Sequence, residues 1–254
     1  MPWDPEQYAL FDAWRRRPAF DLVAALPSME PKTVIDLGCG GGQLARTLAE
    51  RWPDADVLGV DNSPAMLKWA ESTESRVRWQ QADLRTWRPQ WPVDLLISNA
   101  ALQWLGDHER LFPELLQPLA PGGVLAVQMP RNFDAPSHRL LHETAAEGPW
   151  AGKLAGVLRS HPVHRPQDYY DWLSPRAKRV DIWETEYLQV LNGDVPVLQW
   201  TRGTALVPVM EVLEGEELDA FLAAYRAKLE VAYPQHPDGN TLFPFKRLFI
   251  VARV

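Results

Sequence analysis

Three carboxylates stand at or just past the ends of expected strands in this chain: Asp36 in Thr33–Leu37 (TVIDL), Asp61 in Asp56–Asp61 (DVLGVD), and Asp83 just after Val77–Gln81. The first run passes into a glycine-rich turn, Gly38-Cys39-Gly40-Gly41-Gly42. Such a turn lets backbone approach a ligand closely. In a dinucleotide site it would cradle a pyrophosphate. Asp36 argues against that use, because a carboxylate beside a pyrophosphate repels it. The same carboxylate attracts a cationic or amino-bearing ligand. S-adenosylmethionine carries a sulfonium and an amino group and no phosphate, so Asp36, Gly38, Cys39 and Gly40 are candidate contacts for it. Asp61 can accept from both hydroxyls of a ribose. Asn62 and Ser63 follow at the start of the next helix, and Met66 can cover one face of an adenine. One glycine-rich turn is a weak signal; three acids delivered to one sheet edge strengthen it.

The stretch Asp36–Gly42 resembles motif I of the class I S-adenosylmethionine-dependent methyltransferases, (D/E)xGxGxG. The resemblance implies that Asp83 accepts from the adenine amino group while the Leu84 N–H reads the ring. It also implies that Asn99, at the end of Val93–Ser98, faces the methionine portion of the cofactor. A narrower resemblance rests on RWPDADVLGVDNSPAML, NAALQW and LAVQMPRN. With the opening Trp3-Asp4-Pro5, Tyr8, Phe11, Arg15, Arg17 and Pro18, and with Trp87 and Pro89, these look like the trans-aconitate 2-methyltransferase family. That likeness spans essentially the whole chain. It implies methyl-ester formation on a small carboxylic acid, with S-adenosylhomocysteine as product. It also implies an N-terminal element over the methionine carboxylate, with Tyr8 and Arg15 as contacts. The malonyl-acyl carrier protein methyltransferase shares the ALQW run and is the nearest alternative.

That chemistry makes modest demands. A carboxylate is already ionised at neutral pH, so no general base is needed. The remaining tasks are alignment and exclusion of water. Asn99, Gln103 and Trp104 are read as positioning groups, with no acid or base among them. An anionic substrate also needs cations and hydrogen-bond donors. Arg131, Asn132 and His138 leave the fifth strand at the correct edge; Arg165, Tyr169 and Trp200 are further candidates. Lys246 and Arg247 on the closing strand rank lower. No metal is expected: His138 and His142 lack the glutamate of HExxH and a third ligand. A non-catalytic cofactor-binding module is the rival of another class, and the four polar groups Asp36, Asp61, Asp83 and Asn99 argue against it.

The elements that must position these residues alternate. Strands are expected at Thr33–Leu37, Asp56–Asp61, Val77–Gln81, Val93–Ser98 and Gly123–Met129, with helices between them. Nearly continuous apolar strands separated by helices predict a doubly wound, mostly parallel α/β sheet. Late strands at Val180–Leu191 and Phe245–Val254 would complete seven, as an antiparallel edge. One domain over 1–254 is expected, with an N-terminal helical cover at 1–27 and a helical lid at 131–175. The first helix should end before Pro18, with a second over Phe20–Ala25. Twelve tryptophans, including Trp150, Trp172 and Trp200 in polar company, hint at a ligand cleft. A net charge of -7 disfavours nucleic acid as a partner. No apolar run is long enough to span a bilayer. A cytoplasmic location follows as the expectation, with monomer the simplest state. The single cysteine, Cys39, excludes an internal disulfide and has no neighbouring base or metal ligand in sequence, which leaves it a small residue of the cofactor loop.

Overall fold

The computed structural model describes residues 12–158 and 162–254, with side chains from residue 16 onward. Seven strands form one sheet in the order β3-β2-β1-β4-β5-β7-β6. They are β1 (Thr33–Leu37), β2 (Asp56–Asp61), β3 (Arg78–Gln81), β4 (Val93–Asn99), β5 (Leu119–Pro130), β6 (Arg179–Asn192) and β7 (Asn240–Arg253). β1 to β5 pair in parallel, and β7 runs antiparallel to β5. The order reverses between β1 and β4, which opens a crevice at the carboxyl ends of those two strands.

Burial explains the pattern. Val34, Ile35, Leu37, Leu95, Leu96 and Ile97 have almost no exposed surface, as expected of central strands covered on both faces. The helices that follow β1, β2 and β4 are α2 (Gln43–Arg51), α3 (Pro64–Glu71) and α4 (His108–Leu116), after α1 (Asp12–Ala24). Ala45, Leu48 and Ala49 form the buried stripe of α2. Ser63 caps α3, its hydroxyl accepting from the Met66 N–H at 3.3 Å, and Pro64 occupies the first turn.

Two expectations about elements fail. α1 runs straight through Pro18 rather than ending before it. Pro18 is itself buried, and Ala19, Leu22 and Val23 behind it are buried too, so packing outweighs the lost backbone hydrogen bond. β7 begins five residues earlier than Phe245. Pro244 removes a donor there, yet Thr241, Phe243 and Phe245 keep the period-two burial of a strand.

The chain divides into two compact units, and each is described by itself. The first holds Arg15–Pro130, Pro162–Thr185 and Arg247–Val254, which include β1 to β5. The second holds, among the described residues, 12–14, 131–158 and 186–246. The residues expected to form one lid are therefore divided between the units. The second unit has a core of its own, with Trp150, Trp200, Phe221, Tyr225, Phe243 and Phe245 at its centre. Tyr225 and Tyr233 pin it further, the first donating to the Ser137 carbonyl at 2.8 Å and the second accepting from the Ser137 N–H at 3.0 Å. Among the described residues, no helix is long and apolar enough to cross a membrane.

Candidate cofactor and carboxylate site

Registers place the polar residues of the first unit on one face. Asp36 lies opposite Ile97 and Gly59; Asn99 lies opposite Gln128; Pro130 lies opposite Arg247. Side chains two apart on a strand share a face, as do partners in register. Asp61, Asp36, Asn99, Gln128 and Arg247 therefore stand on the same side of five adjacent strands, near the carboxyl ends of β1, β2, β4 and β5.

The acidic end is built around the glycine turn. The Gly38 and Cys39 N–H groups both donate to the Val60 carbonyl, at 2.8 and 3.1 Å. Asp61 accepts from the Gly40 N–H at 2.9 Å and from the Ser63 N–H at 2.8 Å. Each carboxylate oxygen keeps a second lone pair, so a ribose diol remains a compatible partner. Gly38 has φ +73, and a Cβ there would stand 2.2 Å from the Ala101 Cβ, so only glycine fits. At Gly42, also at positive φ, an added Cβ would collide with the Trp79 ring in the same way. Arg46, which the sequence reading did not single out, braces this turn through the Gly41 and Ala70 carbonyls at 2.8 and 3.1 Å.

Asp36 is 1% exposed, and its Oδ2 has no hydrogen-bond partner. Burial, with the Asp61 charge nearby, lifts its pKa to about 7. The Asn99 Oδ1 and the Gln103 Oε1 are likewise buried without partners, while the Gln103 Nε2 donates to the Ala100 carbonyl at 2.7 Å. Native proteins rarely leave buried polar atoms unpaired, and three acceptors left open on neighbouring segments fit a ligand that brings donors or positive charge. S-adenosylmethionine meets that description.

The other expected cofactor contacts vary. Met66 is buried, and Gly40 would bring a Cβ to within 3.8 Å of its methyl group. Asn62 offers its carbonyl, which accepts from the Gln81 Nε2 at 3.4 Å. Asp83 is half-buried and holds Arg85 through both carboxylate oxygens, at 2.6 to 3.0 Å. That pairing keeps its pKa below the ordinary value and would have to yield before Asp83 accepted from an adenine. Leu84 is half-buried beside Gly38. Burial and the two acids push the Cys39 thiol far up, so it stays protonated and serves as a small buried wall. Tyr8 lies outside the described residues, as does the side chain of Arg15, which sits on α1.

Expected substrate contacts separate more sharply. Gln103 is buried, whereas Trp104 is 41% exposed. Tyr169 is corrected to a packing residue: its hydroxyl meets His108 Nδ1 at 2.7 Å and accepts from the His164 N–H at 3.2 Å, and its ring lies on Phe112. Arg165 is corrected to an exposed cap of α7 (Pro166–Leu173, the third helix after α4, preceded by α5, Pro136–Glu147, and α6, Ala151–Leu154), paired with Asp168 at 2.8 Å. In the second unit, Trp200 is corrected to the core, against Phe243 and Phe245 at ring distances of 5.8 and 5.3 Å. Trp150 is also core, donating to the Thr144 carbonyl at 2.7 Å, so these tryptophans do not mark a cleft. Asn132 is 5% exposed with both amide atoms unpaired, which keeps it a candidate. His138 touches the Phe133 ring and the Ser137 hydroxyl, and Arg131 donates its N–H to the Lys246 carbonyl at 2.9 Å.

Residues 34–123 match the model of a methyltransferase domain. A trans-aconitate 2-methyltransferase of Azoarcus sp. is 51% identical over 253 residues, covering 99% of both chains. This chain belongs to the trans-aconitate 2-methyltransferase family. Its Streptomyces coelicolor relative of the same name is 47% identical, over 99% of this chain and 86% of that one. Among solved structures, the YcgJ protein from Bacillus subtilis superposes with a TM-score of 0.60 at 14% identity, covering 94% of this chain and 98% of that one. A Haemonchus contortus phosphoethanolamine N-methyltransferase, solved with S-adenosylhomocysteine, gives 0.53 at 16% identity over 93% of this chain and 52% of that one. At those identities the likeness is one of fold. It confirms the class I methyltransferase architecture expected from the alternating strands and helices.

Three residues that matter were missed or ranked low in the sequence. His108 is buried, with Nε2 on the Leu102 carbonyl at 2.9 Å, and so fixes the turn that carries Gln103 and Trp104. Gln128 and Arg247 lie on the same face of β5 and β7 as Asp36 and Asn99 do on β1 and β4. Only the strand pairing reveals them, because nothing local distinguishes Arg247 from its neighbour Lys246.

Proposed function

We infer that this protein is an S-adenosylmethionine-dependent O-methyltransferase that forms a methyl ester on a small polycarboxylic acid, trans-aconitate. The observation that carries this reading is the set of buried, unpartnered acceptors, Asp36 Oδ2 and Asn99 Oδ1, at the sheet edge of a chain from this family. Bound S-adenosylmethionine supplies a methyl group activated by its sulfonium. Asp36 and Asn99 would hold the methionine end, with the amino group offering the donors these atoms lack. Asp61 would take the ribose, and the Gly38–Gly42 turn gives the cofactor room against the backbone. Tyr8, Arg15, Asn62, Ser63, Met66, Asp83 and Leu84 complete the proposed cofactor contacts. Gln103 and Trp104 would orient the reacting carboxylate. No side chain has to remove a proton, since the substrate oxygen is anionic well above its ordinary pKa of about 4.

The test is transfer of labelled methyl from S-adenosylmethionine to a panel of acids. Trans-aconitate should be labelled, and the product should release methanol in base, as esters do. Labelling of malonyl-acyl carrier protein with no labelling of free polycarboxylates would move the reading to the carrier-linked alternative.

A further inference from the structure

The turn after β3 carries Asp83 and Leu84, and much of its backbone folds back on Asp83. The Arg85 N–H donates to the Asp83 Oδ1 at 2.9 Å, and the Thr86 and Trp87 N–H groups donate to the Asp83 carbonyl at 3.1 and 2.8 Å. The Leu84 N–H has no such partner among the described residues, which leaves it open to a ligand. A donor that reads a flat ring gains most when its position is fixed before the ligand arrives. Apolar packing does not fix it here. Leu84 borders a small apolar cavity whose other walls include Leu37, Leu96, Leu102 and Leu115. Side chains beside a void lose contacts on that side.

Arg88 supplies the missing constraint. Its Nη1 donates to the Leu84 and Trp87 carbonyls at 3.1 and 2.6 Å, and its Nη2 donates to the Glu114 Oε2 at 2.6 Å. Glu114 lies on α4, and its other oxygen accepts from the Arg110 Nε at 2.7 Å. The Arg88 and Glu114 side chains are only 25% and 27% exposed, so solvent and salt screen this pair less than a pair on the open surface. One planar guanidinium thus ties two carbonyls of the turn to a helix. A lysine, with a single nitrogen on a flexible stem, does not reproduce that fork.

We propose that Arg88, held by Glu114, is a positioning residue that sets the Asp83–Leu84 backbone for recognition of the cofactor's adenine. The proposal rests on the S-adenosylmethionine reading given above. In this role Arg88 touches no ligand and acts through Leu84.

The experiment compares wild type with Arg88→Ala, Arg88→Lys and Glu114→Gln, each checked for folding by thermal unfolding. Calorimetry would measure binding of S-adenosylhomocysteine and of S-inosylhomocysteine, in which hypoxanthine replaces adenine. Hypoxanthine presents a carbonyl in place of the amino donor and an N–H in place of the neighbouring ring acceptor. It therefore reverses both groups that Asp83 and Leu84 would recognise, and wild type should prefer S-adenosylhomocysteine. Arg88→Ala should weaken S-adenosylhomocysteine binding by roughly tenfold, the scale of a hydrogen bond to a charged group. S-inosylhomocysteine binding should change little, so the preference shrinks by the same factor. In turnover the loss should fall on KM for S-adenosylmethionine rather than on kcat. Arg88→Lys should recover part of the preference, and Glu114→Gln should lose less than Arg88→Ala. Unchanged affinity and preference in folded Arg88→Ala overturns the proposal. An equal loss for both ligands also overturns it, since it marks Arg88 as purely structural. Should Arg88→Ala fail to fold, Arg88→Lys and Glu114→Gln decide by the same readings. A wild type that binds both ligands equally well overturns the adenine roles of Asp83 and Leu84, and the positioning role with them. One that binds neither overturns the cofactor reading itself.

Discussion

Asp36 shows how much a single buried group can report. Its pKa of about 7 means that the ligand-free folded protein holds a proton that the unfolded chain, titrating near 3.8, has already released. Between those values the unfolded state binds fewer protons, so stability without cofactor falls as pH rises from about 4 to about 7 and then levels. A cationic cofactor reverses the preference, since it favours the ionised carboxylate. S-adenosylmethionine affinity should therefore strengthen as pH rises from 6, by up to about tenfold per pH unit, and level above 7. Asp36→Asn should bind more weakly and lose this slope. Calorimetry across that pH range checks both, and a flat wild-type profile would remove Asp36 from the cofactor. Asp36 and Asp61 were legible in the sequence because each stands at the end of an apolar run. Arg247 was not, because its place on their face of the sheet comes from a pairing partner on β5 more than a hundred residues away.

At the scale of elements, His108 ties the Leu102–Trp104 turn to α4 and, through Tyr169, to α7. The imidazole is held neutral: burial lowers its pKa from the ordinary 6.5, Nε2–H donates to Leu102, and Nδ1 accepts from the Tyr169 hydroxyl. The unfolded chain takes up a proton first as pH falls, so this stabilisation is complete above about 6.5 and is lost as pH drops toward the lowered folded value. His108→Ala should cost roughly 3–5 kcal/mol, combining two buried polar groups left unpaired with a cavity. Urea unfolding at pH 7.5 and 5.5 should show the gap between wild type and His108→Gln narrowing at the lower pH; a constant gap would contradict the assignment. The sheet strands were readable from their period and their apolar runs. The Tyr169 pin was not, because a tyrosine in a polar stretch carries no sign of whether its hydroxyl meets protein or ligand. The helix through Pro18 was misread for a related reason: the local rule for proline was outweighed by burial of the face around it.

For the whole molecule, cofactor binding and folding are linked. The proposed cofactor residues from Asp36 to Asn99 all belong to the first unit, so a ligand there would stabilise the sheet that presents it. S-adenosylhomocysteine at a hundred times its Kd should add about 2.7 kcal/mol. For a chain of this size that corresponds to a rise in Tm of roughly 5–10 °C. NAD at the same concentration should leave Tm unchanged, and differential scanning fluorimetry distinguishes the two. A shift with NAD and none with S-adenosylhomocysteine would reverse the assignment made from Asp36. The division into two units was not legible, since it cuts within β6 and within β7, where the sequence runs on without a linker.

β4 is held at both ends. The Asp94 Oδ2 accepts from the Lys32 and Thr33 N–H groups at 2.8 and 3.0 Å, and the Ser98 Oγ donates to the Leu37 carbonyl at 2.8 Å on the face opposite Asn99. Because a strand alternates sides, a shift of one residue would bring Ser98 to the ligand and turn Asn99 away. The two anchors act as a ruler of fixed length. The segment from Asp94 to Asn99 can exchange one apolar residue for another, yet it cannot gain or lose a single position without exchanging the faces of the sheet.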